Sequence, residues 1–135
     1  MENTIENRHL MRKVFFETSE FNKYVGGVIL HDETIRSEET IKMLVNNQIV
    51  LGIKTDKGLA PLVGGKEGEQ TTNGLDTLAE RSAEYFTLGA RFAKWRSVIL
   101  ISDGTPTEES YKDVSTVLAK YAIITQQVCF FLTYY

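Results

Sequence analysis

Cysteine is nearly absent from this chain: the single Cys129 cannot close an internal disulfide, which suits a reducing, cytoplasmic compartment. Histidine is almost as scarce, and two imidazoles cannot by themselves assemble a His-rich metal site. No run of about 18 apolar residues is available to span a bilayer. The opening Met1-Glu2-Asn3-Thr4-Ile5-Glu6 lacks the basic start and apolar core of a secretory signal. An excess of positive charge is missing too. With a formal net charge of −3, the basic stripe that marks nucleic-acid partners is not expected, so small molecules or proteins are the expected partners. Low-complexity linkers and internal repeats are also lacking, and 135 residues read as one domain.

What is present is a globular balance, 42% hydrophobic and 24% charged, arranged as alternating helical and extended patterns. Asn3 and Glu6 can form a capping box. Ile5, Leu10, Met11, Val14 and Phe15 then make an apolar stripe that predicts a helix over residues 4–17. Val25 to Leu30 reads as a buried strand. Ser37 can cap a helix carrying Ile41, Leu44 and Val45, with a second strand at Ile49 to Lys54. A Gly-, Lys- and Glu-rich loop follows, from Thr55 to about Thr72. Leu75, Leu78, Ala79, Ser82 and Phe86 predict a third helix, which Gly89 can end. After a third strand, Thr105, Pro106 and Glu108 fit the start of a last helix along Val114, Val117, Leu118 and Tyr121. Strands alternating with helices imply βαβ units and a parallel sheet, either open or closed as a barrel. A complete barrel takes roughly 250 residues.

The third strand carries the chemistry. Phe92-Ala93-Lys94-Trp95-Arg96-Ser97-Val98-Ile99-Leu100-Ile101 places Lys94 and Arg96 on the same strand face as Val98 and Leu100. That face is expected to be buried. Two buried cations need anions, and a ligand is the simplest supply. The plainer reading has one cation snorkelling out and the other paired with a carboxylate. Lys54, at the C-terminal end of its strand with Asp56 two residues on, adds a flexible charge where α/β folds bind ligands. Alone it reads as a solvated strand end. With Lys94 and Arg96 it predicts a pocket for a multiply charged anion.

Other motifs read blandly. Gly64-Gly65-Lys66 fails as a phosphate-binding loop because Ala60 stands where glycine and Glu67 where serine or threonine is needed. His31-Asp32-Glu33 reads as a solvated turn rather than a metal cluster. No GxSxG nucleophile motif occurs, and Cys129 lacks a local base.

Five collinear segments, Glu2 to Arg8, Gly26-Gly27-Val28-Ile29-Leu30, Gly52-Ile53-Lys54-Thr55-Asp56-Lys57-Gly58, Gly74 to Arg81, and Gly89 to Arg96, resemble the class I fructose-bisphosphate aldolases. The resemblance covers residues 2–127. It implies an α/β fold: part of a (βα)8 TIM barrel, contributing three parallel strands with alternating helices. It also implies a glycolytic and gluconeogenic lyase that splits fructose 1,6-bisphosphate into dihydroxyacetone phosphate and glyceraldehyde 3-phosphate. The mechanism uses a Schiff base and no metal or other cofactor. Lys54, Lys94 and Arg96 match family active-site positions, with substrate and phosphate binding as their implied roles and Lys94 also implied in catalysis. The resemblance also implies a homo-oligomer, a tetramer in the family, and a cytoplasmic location with plastid as the alternative.

The family's first-strand aspartate, its two glutamates in a VEPE segment and its Schiff-base lysine have no match here. Residues 1–127 are therefore expected to form a partial barrel, and Val128 to Tyr135 an unrelated apolar tail left by intron read-through or a mis-set gene end. Such a fragment is expected to be inactive, with two alternatives: a noncatalytic module joining full-length aldolase, or a small phosphosugar-binding domain.

Overall fold

The computed structural model describes residues 2–128 and 130–134, so Cys129 lies outside the described residues. Helix α1 (Ile5–Phe16) leads through the short α2 (Phe21–Tyr24) to strand β1 (Gly27–Leu30). A turn of helix, α3 (Asp32–Ile35), and α4 (Glu38–Asn46) precede β2 (Val50–Lys54). The predicted loop contains a hairpin of β3 (Leu59–Pro61) and β4 (Gln70–Thr72). Then come α5 (Leu78–Thr87), β5 (Phe92–Trp95), α6 (Glu108–Gln126) and β6 (Phe131–Tyr134). The main sheet is ordered β1-β2-β5-β6 with every pairing parallel. The expected α/β class with parallel strands is present. The sheet gains a fourth strand from the last residues, where only an apolar tail is expected.

Helix starts follow local chemistry, shifted from prediction by one or two residues. Thr4, not Asn3, caps α1, its hydroxyl accepting from the Asn7 amide at 3.2 Å. Ser37 caps α4 as expected. At α6 the cap is Thr107 rather than Thr105, and its hydroxyl is held by the buried carboxylate of Glu69, which also accepts from the Thr107 amide at 2.7 Å. That contact fastens the hairpin to the start of α6. Gly89 does end α5, in the left-handed region (φ +106°) where a side chain would be strained.

The third strand is shorter than predicted. β5 stops at Trp95, and the face of Lys94, Arg96, Val98 and Leu100 expected to be buried is not: Arg96 is exposed and the other three are only half-buried. The reason is the neighbour. β2 ends at Lys54, opposite Lys94, and the chain beyond turns aside with the Thr55 amide on the Lys94 carbonyl at 2.9 Å. With no strand alongside, Ser97 to Ile101 cannot continue the ladder. Ala93 and Trp95 face the core instead, where Trp95 packs on Tyr121 of α6 at a ring distance of 5.3 Å. The Tyr121 hydroxyl donates to the Ala93 carbonyl at 2.7 Å, tying α6 to β5.

One sheet face is covered by α4, α5 and α6 through Leu30, Leu51, Ile53, Leu78, Tyr85 and Val117. The other face is open, with Ile29, Val50 and Phe131 exposed. The α1 stripe is also uncovered: Leu10, Met11, Val14 and Phe15 are more than half exposed. α1 turns its basic side inward instead, because Arg8 and Arg12 both reach Glu33 at 2.7 Å and Lys13 reaches Glu39 at 2.8 Å.

Candidate functional site

Strand alternation and register place Lys54 and Lys94 directly opposite each other on the open face of the sheet, at its C-terminal edge. Lys54 is held there. Its Nζ donates to Asp56 Oδ1 at 2.7 Å and to the Asp56 carbonyl at 3.0 Å, while the Asp56 carboxylate is nearly buried and also accepts from the Gly58 amide at 3.3 Å. Arg96 lies two residues beyond Lys94, past the end of β5 and exposed. Its carbonyl accepts from the Thr72 hydroxyl at 2.8 Å, which fixes the backbone rather than the guanidinium. The expected trio is therefore a close pair on the sheet with a third cation outside it.

Beside this edge opens a cleft of about 450 Å³ lined by Lys54, Asp56, Lys57, Arg36, Arg81 and His31, with Asp32 and Tyr85. Neither Lys94 nor Arg96 lines it. Arg81, from α5, braces the floor by donating to the Thr55 carbonyl at 2.8 Å, the Gly74 carbonyl at 2.6 Å and the Thr77 hydroxyl at 3.1 Å. Lys57 donates to the same Thr77 hydroxyl at 3.0 Å. Arg36 is shared between Asp32 at 3.0 Å and Glu84 at 2.6 Å, which raises its pKa further. Asp32 is held below the usual carboxylate range, chiefly by Arg36, and accepts from the Tyr85 hydroxyl at 2.9 Å. The four cations outnumber the cleft's two carboxylates, so the field inside favours an anion.

His31-Asp32-Glu33, read from sequence as a solvated turn, divides among three tasks. Asp32 anchors Arg36, Glu33 receives Arg8 and Arg12, and His31 faces the cleft. The Glu33 carboxyl is pulled down to about 2, first by the Arg8 hydrogen bond and also by Arg12, against a desolvation cost. Arg36 and Arg81 escaped the sequence reading, and His31 was read only as part of a solvated turn, because the three meet only through tertiary packing. The one available signal was Arg81, inside the fourth family-like segment. Gly64-Gly65-Lys66 bonds within the protein: Lys66 Nζ donates to the Gly104 carbonyl and the Lys66 amide to Glu69, both at 2.8 Å.

The family model described as fructose-bisphosphate aldolase class-I matches residues 1–131. Fructose-bisphosphate aldolase C-B of Danio rerio is 47% identical over 133 residues, covering 94% of this chain and 36% of that protein. Fructose-bisphosphate aldolase C of Homo sapiens is 45% identical over the same span. Among solved structures, fructose-bisphosphate aldolase of Plasmodium falciparum, in complex with TRAP and a small-molecule inhibitor, superposes with a TM-score of 0.90 at 42% identity. It covers 98% of this chain and 40% of the other. The chain thus spans 36% of the length of the curated relatives it matches.

Proposed function

Because the chain belongs to the class I fructose-bisphosphate aldolases, we propose that it carries the cationic, phosphosugar-binding part of a barrel that cleaves fructose 1,6-bisphosphate to dihydroxyacetone phosphate and glyceraldehyde 3-phosphate. Lys54 and Arg96 hold the substrate and its phosphates. Lys94 binds substrate and supports the reacting atoms electrostatically. The observation that carries this reading is the register pair Lys54–Lys94 at the C-terminal edge of a parallel sheet, where barrel enzymes place their chemistry.

Cleavage of the carbon–carbon bond leaves an electron pair on the ketone half of the sugar. In the family an iminium, formed by condensation of a lysine amine with the ketone and loss of water, accepts that pair. These 135 residues contain no segment matching the one that supplies the lysine in the family. By itself the chain is therefore expected to bind the sugar and leave it whole. A second reading, association with longer aldolase subunits as a noncatalytic partner, is favoured by the open sheet face of Ile29, Val50 and Phe131. It is compatible with the homotetramers implied by the family resemblance.

The test is to incubate the purified chain with fructose 1,6-bisphosphate and assay triose phosphate release, alone and after mixing with intact aldolase. Release at background level by the chain alone is the expected result. Robust cleavage by the chain alone would contradict the role assigned to the absent amine, and failure to co-purify with intact enzyme would remove the second reading.

A further inference from the structure

We propose that His31 is a ligand-contacting residue of this site, donating a hydrogen bond from its ring N–H to a phosphoryl oxygen of the bound phosphorylated sugar. The inference rests on the phosphosugar reading above and extends it to a residue outside the Lys54, Lys94 and Arg96 set.

Position comes first. Leu30 is the last residue of β1 and pairs with Ile53. One step further along both strands sets His31 beside Lys54, which is itself opposite Lys94. The three residues thus form a row across the C-terminal edge of the sheet. His31 lines the 450 Å³ cleft on one side, and it also lines the adjoining cleft that holds Arg8 and Arg12.

Hydrogen-bonding capacity comes second. The other cations of the main cleft already give bonds to the protein: Arg36 to Asp32 and Glu84, Arg81 to two carbonyls, Lys57 to Thr77 and Lys54 to Asp56. These bonds orient the cations toward the protein, and a directed donor from a neutral ring complements the field they supply. The His31 ring has no hydrogen bond among the described residues, and it does not cap the helix turn that it precedes. An exposed ring with an uncommitted N–H, set among cations, is suited to give an arriving oxyanion a directed bond.

Electrostatics agree with that role. Partial desolvation at the cleft wall first, then the Arg12 and Lys54 charges, lower the His31 pKa, with Lys94 acting in the same direction. A pKa lowered below the ordinary imidazole value favours the neutral ring near pH 7. It offers a donor without adding to the repulsion among the cations.

The test is calorimetry of the full 135-residue chain with fructose 1,6-bisphosphate, with unphosphorylated fructose as the control, comparing wild type, His31→Phe and His31→Gln. The phenyl ring keeps the bulk and removes the donor, whereas the glutamine amide restores one. His31→Phe is expected to bind about tenfold more weakly, His31→Gln within about threefold of wild type, and thermal midpoints are expected to coincide. Binding by His31→Phe equal to wild type, or His31→Gln as weak as His31→Phe, would overturn the His31 assignment and leave the phosphosugar reading standing. Absence of any binding by wild type, or equal binding of fructose, would overturn that reading and His31's role with it.

Discussion

Glu33 shows how one side chain ties α1 to the turn that follows β1. It receives two guanidinium groups from α1, and its carboxyl is lowered from 4.5 to about 2. A carboxylate with a depressed folded-state pKa contributes stability above its unfolded pKa and loses it as pH falls through the folded value. The Glu33 contribution is therefore complete above pH 4.5 and disappears as pH falls toward about 2. Urea unfolding of wild type and Glu33→Gln across that interval checks this: the difference between them is expected to shrink as pH falls, and a constant difference would refute it. Asp56 provides a second test. Its carboxylate is nearly buried against Lys54, whose ammonium stays partly open to water and keeps the Asp56 carbonyl, so Asp56→Ala is expected to destabilise the chain by about 1 kcal/mol in the same assay.

At the scale of elements, the strands are set by their neighbours as much as by their own residues. Period-2 alternation was enough to put Lys94 and Arg96 on one strand face, whereas setting Lys54 opposite Lys94 needed the register of β2 against β5; the apolar runs were enough to locate β1 and β2. The end of β5 was not legible, because it depends on where β2 stops. The helices divide in the same way. Ser37 and Gly89 announced their helix ends locally, whereas the outward turn of α1 depends on the distant partners Glu33 and Glu39, which no stripe of apolar residues reveals. The cleft was least legible of all, since Arg36 and Arg81 reach it from helices far apart in sequence. Close strand packing offers a direct check. A methyl at Gly52 would lie 2.3 Å from the Phe92 ring on the adjacent strand. Gly52→Ala is expected to cost about 2 kcal/mol by overpacking. Combining it with Phe92→Leu is expected to recover part of that loss, measured as a double-mutant cycle.

The whole molecule is a parallel sheet with one face packed against helices and the other open, its outer strands β1 and β6 each paired on one side only among the described residues. Such a surface favours association. Dilution in light scattering is expected to show concentration-dependent self-association, reduced by Phe131→Lys on the open face. An unchanged monomer at all concentrations would oppose that view. The open face also presents Lys54 and Lys94 to solvent or to a partner rather than to a closed barrel interior. Anion binding by the chain alone is therefore the property on which its functional reading turns. Calorimetry of fructose 1,6-bisphosphate with wild type and with the Lys94→Ala/Arg96→Ala double variant measures it most directly. The account predicts saturable binding by wild type and a loss of at least tenfold in the variant, and equal affinity in the two proteins would contradict it.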